Sequence, residues 1–497
     1  MTTQPESNER RWIWLLCLLA AIHVFTYSAA FPLINNVDEQ AHFDLAVKYS
    51  QLHLPGGVEP ESPESLRYIV IYGSLEYLWP PERFEGKQFP PPPWKQPIEK
   101  IAPFLLAREA MWKAPNHESS QPPLYYTTAG LWWNIGSALG FEGGRLMYWL
   151  RFLNIVFIMA LVWLGYGAAR LVFPGQTFLQ YGVPTLVAFM PQSAFYSIGN
   201  DMLSALCFGA AFILLNQFLR EESPGARLGA ALGLALAATL LTKMTNLPLV
   251  ALAGAVLISK FFVLTKNGWK CRPPLAAWAM LLLCALLPTA GWLGWCKHGF
   301  GDFTGSELKI QLLGWTHKPF SEWWHHPIFT LHGVWFFASN LMASFWQGEF
   351  YWHGHPLAWR TIDVIYAALS IGSIVLALAN LRFRPGGTPS LQFQVLWIAL
   401  TGFVSVVTFL AFLSLIYDFH DCFRPSREFP YFTSGRMMLG ALIPFLLLFV
   451  FGLDRALNRF GDRIKFFVLG GLVSLMVVSE VAVNWPVFSS QYNWFHM

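Results

Sequence analysis

Apolar residues along this chain come in long unbroken runs, and the first, from Trp12 to Phe31, directly follows Arg10 and Arg11. A helix needs about 20 apolar residues to cross a hydrocarbon core. Runs of that order recur at 12–34, 145–170, 176–195, 201–220, 227–244, 246–263, 275–295, 360–381, 392–416, 436–453 and 466–485. They predict about eleven crossings. The expected fold class is an all-α, polytopic integral membrane domain spanning 1–497 as one unit. The first run is long and has no small-residue cleavage pattern before Asn35, so it reads as an uncleaved span.

Positive charge sets the direction of the spans. Cytoplasmic loops collect Lys and Arg. Arg10 and Arg11 place the N-terminus inside, as do the basic loops 170–175, 220–227, 260–272, 381–387 and 455–465 for their own positions. The outer face then carries three large segments, 35–144, 296–359 and 417–435. Their richness in Trp, Tyr and Pro predicts packed structure. Two apolar stretches, 122–139 and 327–346, have outer neighbours on both flanks. They are expected to lie in the interface or to dip in and return, which suits Trp132, Trp133, Trp335 and Trp346. The expected location is an inner (plasma) membrane, with the N-terminus cytoplasmic and the chemistry extracytoplasmic.

Composition agrees. Charged residues are 12% of the chain and hydrophobic ones 55%, against roughly 25% charged in soluble domains. The net charge of +4 includes no basic run with interleaved aromatics, which excludes a nucleic-acid partner. No internal repeat is visible, which argues against a transporter built from inverted repeats. The six Cys form no CxxC pair. Cys17, Cys207, Cys271 and Cys284 lie in or beside apolar spans and read as packing residues, whereas Cys296 and Cys422 fall where a disulfide would survive.

Polar residues concentrate in the outer segments. Asp38 and Glu39 follow the first span, with His42 one turn later. One reading is a helix N-cap with a solvated acidic turn. The other is a general base, in which desolvation at the membrane boundary raises a carboxylate pKa so that it takes a proton from a hydroxyl. Asn200-Asp201 opens a later span and is open to the same two readings. Arg424, Arg427 and Arg436 crowd an outer loop where the charge rule disfavours them. They suit either an anionic partner, by Arg–phosphate forks, or snorkelling to headgroups. Lys243 interrupts an apolar run and either snorkels or reaches a lipid phosphate. Glu349 sits among Phe345, Trp346, Phe350, Tyr351 and Trp352, a composition that suits sugar stacking or interfacial packing. His325-His326 and His353-x-His355 match no zinc spacing. His117-Glu118-Ser119-Ser120-Gln121-Pro122-Pro123-Leu124-Tyr125-Tyr126 reads as an extended entry into the apolar stretch behind it.

Taken in order, these motifs resemble the GT-C superfamily of membrane glycosyltransferases. Asp38-Glu39-Gln40-Ala41-His42-Phe43 is similar to the Asp-Glu…His-Phe stretch of protein O-mannosyltransferases, and Asn200-Asp201 to the second acidic motif of the oligosaccharyltransferase catalytic subunit. Ser197 to Asp201, Ser344-Phe345-Trp346 and Gly435-Arg436 most resemble a group of uncharacterised bacterial membrane proteins in that clan. The resemblance implies a GT-C-like helical domain with structured outer loops and interfacial helices. It implies a polyprenyl-phosphate sugar as donor and a glycan, lipid or protein hydroxyl as acceptor. Asp38 would be the catalytic base, Glu39 and Asp201 its catalytic companions, and His42, Asn200, Arg436, Arg427, Lys243, Glu349 and Tyr125 the substrate-binding residues. Met437 stands where the family usually has Tyr, and Asp201 lacks the neighbouring second acid of oligosaccharyltransferases. A divalent cation is therefore disfavoured, and no metal ligands are expected. A lipid-linked-glycan carrier and a non-catalytic envelope assembly protein remain alternatives. The carrier predicts charged residues along a mid-membrane path.

Overall fold

The computed structural model describes residues 7–112, 115–266, 274–382, 391–422 and 425–497. Arg424, Cys271 and parts of the basic loops 260–272 and 381–387 lie outside the described residues. Nine helical segments among those described are long and apolar enough to cross a membrane. They are Asn8–Ala30, Gly143–Val172, Asp201–Arg220, Met244–Phe262, Leu275–Phe300, Arg360–Arg382, Leu391–Ile416, Gly435–Ala456 and Asp462–His496. Each coincides with an expected crossing, and the chain is a multi-pass helical membrane protein.

The other two expected crossings are shorter. Residues 176–195 yield the helix Thr177–Ala188 and residues 227–244 the helix Ala226–Thr242. At 1.5 Å per residue these span about 18 and 26 Å, less than a core of about 30 Å. The first stops short of Pro191, which disfavours helix in the residue before it. The second stops at Lys243, whose backbone is extended (φ −159°) and whose side chain turns to Asp201. The helix Ala226–Thr242 lies tightly on Leu275–Phe300. A Cβ added to Gly229 would stand 2.1 Å from the Ala277 carbonyl oxygen, the close approach that small residues permit between membrane helices.

The segment Gly435–Ala456 is the axle of the bundle. Burial covers 89% of its most apolar stretch, against 22% for Met244–Phe262 and for Leu275–Phe300, which present apolar side chains outward. The chain Phe320–Phe329 meets the helix Leu331–Gln347 at 75°, the bend of a broken span or a re-entrant loop. Residues 122–139 form the helix Pro123–Ala138, with Gly130 set against the backbone of Tyr49 and Ser50.

The large connecting segments are folded. Asn116 donates to the Ala41 carbonyl (3.0 Å) and to Asp44 (2.8 Å), and Asp44 also pairs with Lys48 (3.0 Å). Segments 296–359 and 417–435 are joined by an antiparallel ribbon, Thr316↔Asp418 and His317↔Tyr417. Cys296 and Cys422 are both free thiols.

Candidate active site

Four charged side chains from far-apart segments meet where the ends of spans converge. Asp38 follows the first span, Asp201 heads Asp201–Arg220, Lys243 ends Ala226–Thr242, and Arg436 opens Gly435–Ala456. Arg436 is ion-paired to Asp38 across 398 residues of sequence. Its Nη1 lies 3.8 Å from Asp201, and its Nε 4.0 Å from Glu349. Lys243, buried, is ion-paired to Asp201.

The helix-cap explanation does not account for either acid. Asp38 occupies the N-cap position of the helix Glu39–Ser50, yet its side chain makes no capping hydrogen bond. It holds a left-handed backbone (φ 61°) and turns its carboxylate to Arg436 and His117. Asp201 and its predecessor Asn200 likewise make no side-chain cap. A left-handed non-glycine residue is worth of order 1–3 kcal/mol of strain, and such strain clusters at functional sites. Gly435 sets Arg436. A Cβ there would lie 2.1 Å from the Phe345 backbone nitrogen, so only glycine lets this turn pack onto the end of Leu331–Gln347.

The remaining residues divide. Glu349 accepts a hydrogen bond from Ser434 (2.6 Å) and faces Arg436. Asn200 donates to Gln121 (3.1 Å) and to the Thr242 carbonyl (3.1 Å), which fixes the turn carrying Lys243. His42 hydrogen-bonds the Tyr126 hydroxyl (2.6 Å), and the Tyr125 hydroxyl accepts from the Gly199 backbone (3.0 Å). Both brace the Gly199–Asp201 turn from behind. Glu39 is turned away from Asp38. It is fully buried, receives Arg151 at 2.6 and 3.0 Å, and accepts the backbone N–H groups of Ile198 and Asn35 at 3.0 Å each. These bonds make Glu39 an anchor of the scaffold and leave it no face toward the cluster, contrary to the expected catalytic role.

Arg427 does not join the cluster. It is 65% exposed, donates to His420 (2.7 Å) and lies 3.4 Å from Asp418. Exposed pairs contribute little. Arg427→Ala is expected to change stability by no more than about 0.5 kcal/mol, as thermal unfolding in detergent would read.

Three residues that the sequence reading left aside complete the site. His117 Nε2 lies 3.1 Å from Asp38 Oδ1 and 3.5 Å from Glu118 Oε1. Lys309, from the helix Ser306–Leu312, reaches Glu118 at 2.5 Å. The motif containing His117 and Glu118 was visible beside Pro122-Pro123, but its order alone does not separate an architectural turn from a site. Nothing local marks Lys309.

Charge explains the titration of this network. Burial alone would push Asp38 upward, but the Arg436 guanidinium and the His117 hydrogen bond hold it well below the usual carboxylate range. That reverses the raised pKa expected from desolvation. Burial also opposes Glu118, yet Lys309 brings it down to about 2. His117 is raised: burial pulls it down, and the hydrogen bond to Asp38 and the charges of Glu118 and Asp38 outweigh that. His42 is pushed down to about 4, chiefly by burial, and is neutral at pH 7. Glu349 is raised by burial, against the pull of Arg436 and Ser434.

Asp38, His117 and Glu118 present ligand-type atoms within 4.8 Å of one another. Arg436 and Lys309 already neutralise the two carboxylates. With both carboxylate charges already balanced, a dication would add net positive charge to the trio, which disfavours a metal there.

The fold and cluster define a polytopic helical membrane protein with a charge-compensated polar site where its helix ends converge. Within that class the chain belongs to the family described as "Predicted membrane protein (DUF2142)", whose pattern matches residues 17–418. Curated proteins offer no match. Among solved structures it is similar to ArnT from Cupriavidus metallidurans bound to undecaprenyl phosphate, with 12% identity and a TM-score of 0.44 over 96% of this chain and 65% of that one. It is also similar to the Archaeoglobus fulgidus oligosaccharyltransferase in the apo form, with 11% identity and a TM-score of 0.44 over 98% of this chain and 57% of that one. The same enzyme in complex with Zn and sulfate gives 12% identity and a TM-score of 0.40 over 96% and 52%. The chain thus spans about half to two thirds of these longer proteins.

Proposed function

We propose that the protein is a GT-C-type glycosyltransferase. It moves a sugar from a polyprenyl-phosphate donor to an acceptor hydroxyl at the extracytoplasmic surface, with inversion. The observation that carries this reading is the meeting of Asp38 with Arg436, beside the pair Asp201–Lys243. A carboxylate and two cations gathered in one cluster supply what the reaction requires: a proton acceptor and stabilisation for a leaving phosphate. Arg436 Nε is buried without a hydrogen-bond partner, so a phosphate oxygen would gain a charged donor there.

The acceptor oxygen attacks the anomeric carbon as its proton passes to Asp38. The bond from that carbon to the phosphate oxygen breaks, and its electron pair leaves on phosphate beside Arg436 and Lys243. Asp201 keeps both cations in place between turnovers. No covalent sugar–enzyme bond forms, which is why a single displacement inverts the centre. A carrier would want charges along a path through the bilayer. The buried pair His23–Glu480 (2.7 Å) does lie within spans, but Tyr196 and the Ala188 carbonyl close it off.

The test is transfer from radiolabelled undecaprenyl-phosphate hexoses and pentoses to envelope extract by the purified protein in lipid nanodiscs. Label moving into an alkali-stable acceptor is the expected result. Donor lipid bound with no transfer from any sugar would favour the carrier or the assembly protein.

A further inference from the structure

His117 and Asp38 lie side by side, with side chains 23% and 22% exposed. One Asp38 oxygen is covered by Arg436, and the other faces His117 Nε2 at 3.1 Å. The His117 side chain keeps 23% exposure, while Glu118 behind it keeps 3%. Glu118 is itself held by Lys309 and Gln121. The charged and titratable groups facing this arrangement come from every element packed on it. They are Asp38 from the turn after the first span, Glu118 beside His117, Lys309 from Ser306–Leu312, His42 from Glu39–Ser50, and Arg436 from the last buried span.

A base that gains a proton at each turnover has to lose it before the next, and a donor and acceptor seated on Asp38 would cover its own exposed edge. Among the described residues, the hydrogen bond from Asp38 to a partly exposed titratable group is the one to His117. Resting on the glycosyltransferase reading, we propose that His117 is a positioning and proton-carrying residue for Asp38. It holds the carboxylate in place during transfer and then conducts the acceptor's proton to water. At rest neutral His117 donates its Nε2–H to ionised Asp38; once Asp38 is protonated, exchange with water moves that ring proton to Nδ1, and the freed Nε2 takes the proton from Asp38, giving imidazolium and ionised Asp38. The imidazolium then gives its Nδ1 proton to water, which leaves neutral His117 again donating Nε2–H to Asp38. Glu118, fixed by Lys309, keeps the ring oriented and stabilises its charged state.

The ring works in its neutral form, so turnover should rise with pH through the His117 pKa, which Asp38 and Glu118 lift above the ordinary imidazole value. The experiment compares wild type with His117→Ala and His117→Gln, as full-length protein in nanodiscs. It uses whichever undecaprenyl-phosphate sugar wild type transfers. Both variants should lose about tenfold to a hundredfold in kcat, less than the loss of the base itself, with donor KM unchanged. The acidic limb of the pH profile should vanish, and added imidazole should restore part of the rate to His117→Ala. Variant turnover and pH profile equal to wild type would overturn the inference. So would a loss that imidazole does not relieve and that leaves the acidic limb in place, since that marks a purely structural role. Where the variants fail to fold, carbethoxylation of His117 followed by mass spectrometry decides. Its pH midpoint should be higher in wild type than in Asp38→Asn, and equal midpoints would overturn the pairing. Absence of transfer by wild type would instead overturn the glycosyltransferase reading itself, an outcome distinct from any result with the variants.

Discussion

Asp38→Asn is expected to lower sugar transfer by about 10²–10⁴-fold, the usual worth of a positioned general base, while donor lipid still binds. The amide keeps the shape of the carboxylate and removes only its charge and basicity. Arg436 would then lose its paired anion but keep Asp201 at 3.8 Å and Glu349 at 4.0 Å. The guanidinium therefore stays compensated, and folding should be close to normal. Donor binding should hold or tighten, because a phosphate no longer competes with Asp38 for Arg436. This competition also answers a difficulty in the resting structure. A carboxylate held well below its usual range is a weak base, yet the ion pair responsible would be the first contact disturbed when a phosphate reaches Arg436. On the proposed glycosyltransferase reading, sharing that cation would return basicity to Asp38 when the donor is in place. Side-by-side measurement of transfer rate and donor-lipid affinity checks both halves. Equal transfer by wild type and Asp38→Asn would remove Asp38 from the chemistry and turn attention to Asp201.

Much of this was legible in the sequence because membrane burial writes long, simple patterns. Nine crossings follow from apolar runs alone. The two shortened ones, Thr177–Ala188 and Ala226–Thr242, fall below the length of an ordinary crossing, and hydropathy does not register where a backbone stops being helical. The charge rule marked Arg436 as out of place, and the cost of a mid-span cation marked Lys243. Their pairing with Asp38 and Asp201 was not legible, since it joins segments up to 398 residues apart. His117, Glu118 and Lys309 escaped for the same reason: a polar residue in a polar loop is unremarkable until its partner is known. The pKa direction of Asp38 failed differently. Desolvation was foreseen correctly, but its sign is overruled by a neighbour that only the tertiary structure supplies.

Glu39 is the sharpest case, because its immediate neighbour invites the wrong analogy. Glu39→Gln is expected to destabilise the fold by about 3–5 kcal/mol, the typical consequence of removing one partner of a buried ion pair. Glu39 and Arg151 are both almost entirely shielded, so the change would strand a guanidinium where no water can reach it. Arg151 also donates to the carbonyls of Ser28, Phe31 and Pro32 (3.1, 2.6 and 3.0 Å). It thereby finishes the first span and aims the turn that carries Asp38. Loss of the pair would thus disturb the site indirectly, through unfolding of the span end. That amount is a large share of the roughly 5–15 kcal/mol that holds a domain together. Poor expression and a clearly lowered melting temperature in detergent are the expected readings for Glu39→Gln, beside near-normal values for Asp38→Asn. Joint replacement, Glu39→Leu with Arg151→Met, should recover only part of the lost stability: it removes both buried charges but leaves the N–H groups of Asn35 and Ile198 and the carbonyls of Ser28, Phe31 and Pro32 without these partners. A Glu39→Gln protein that melts like wild type but transfers no sugar would reverse this assignment and return Glu39 to the reaction.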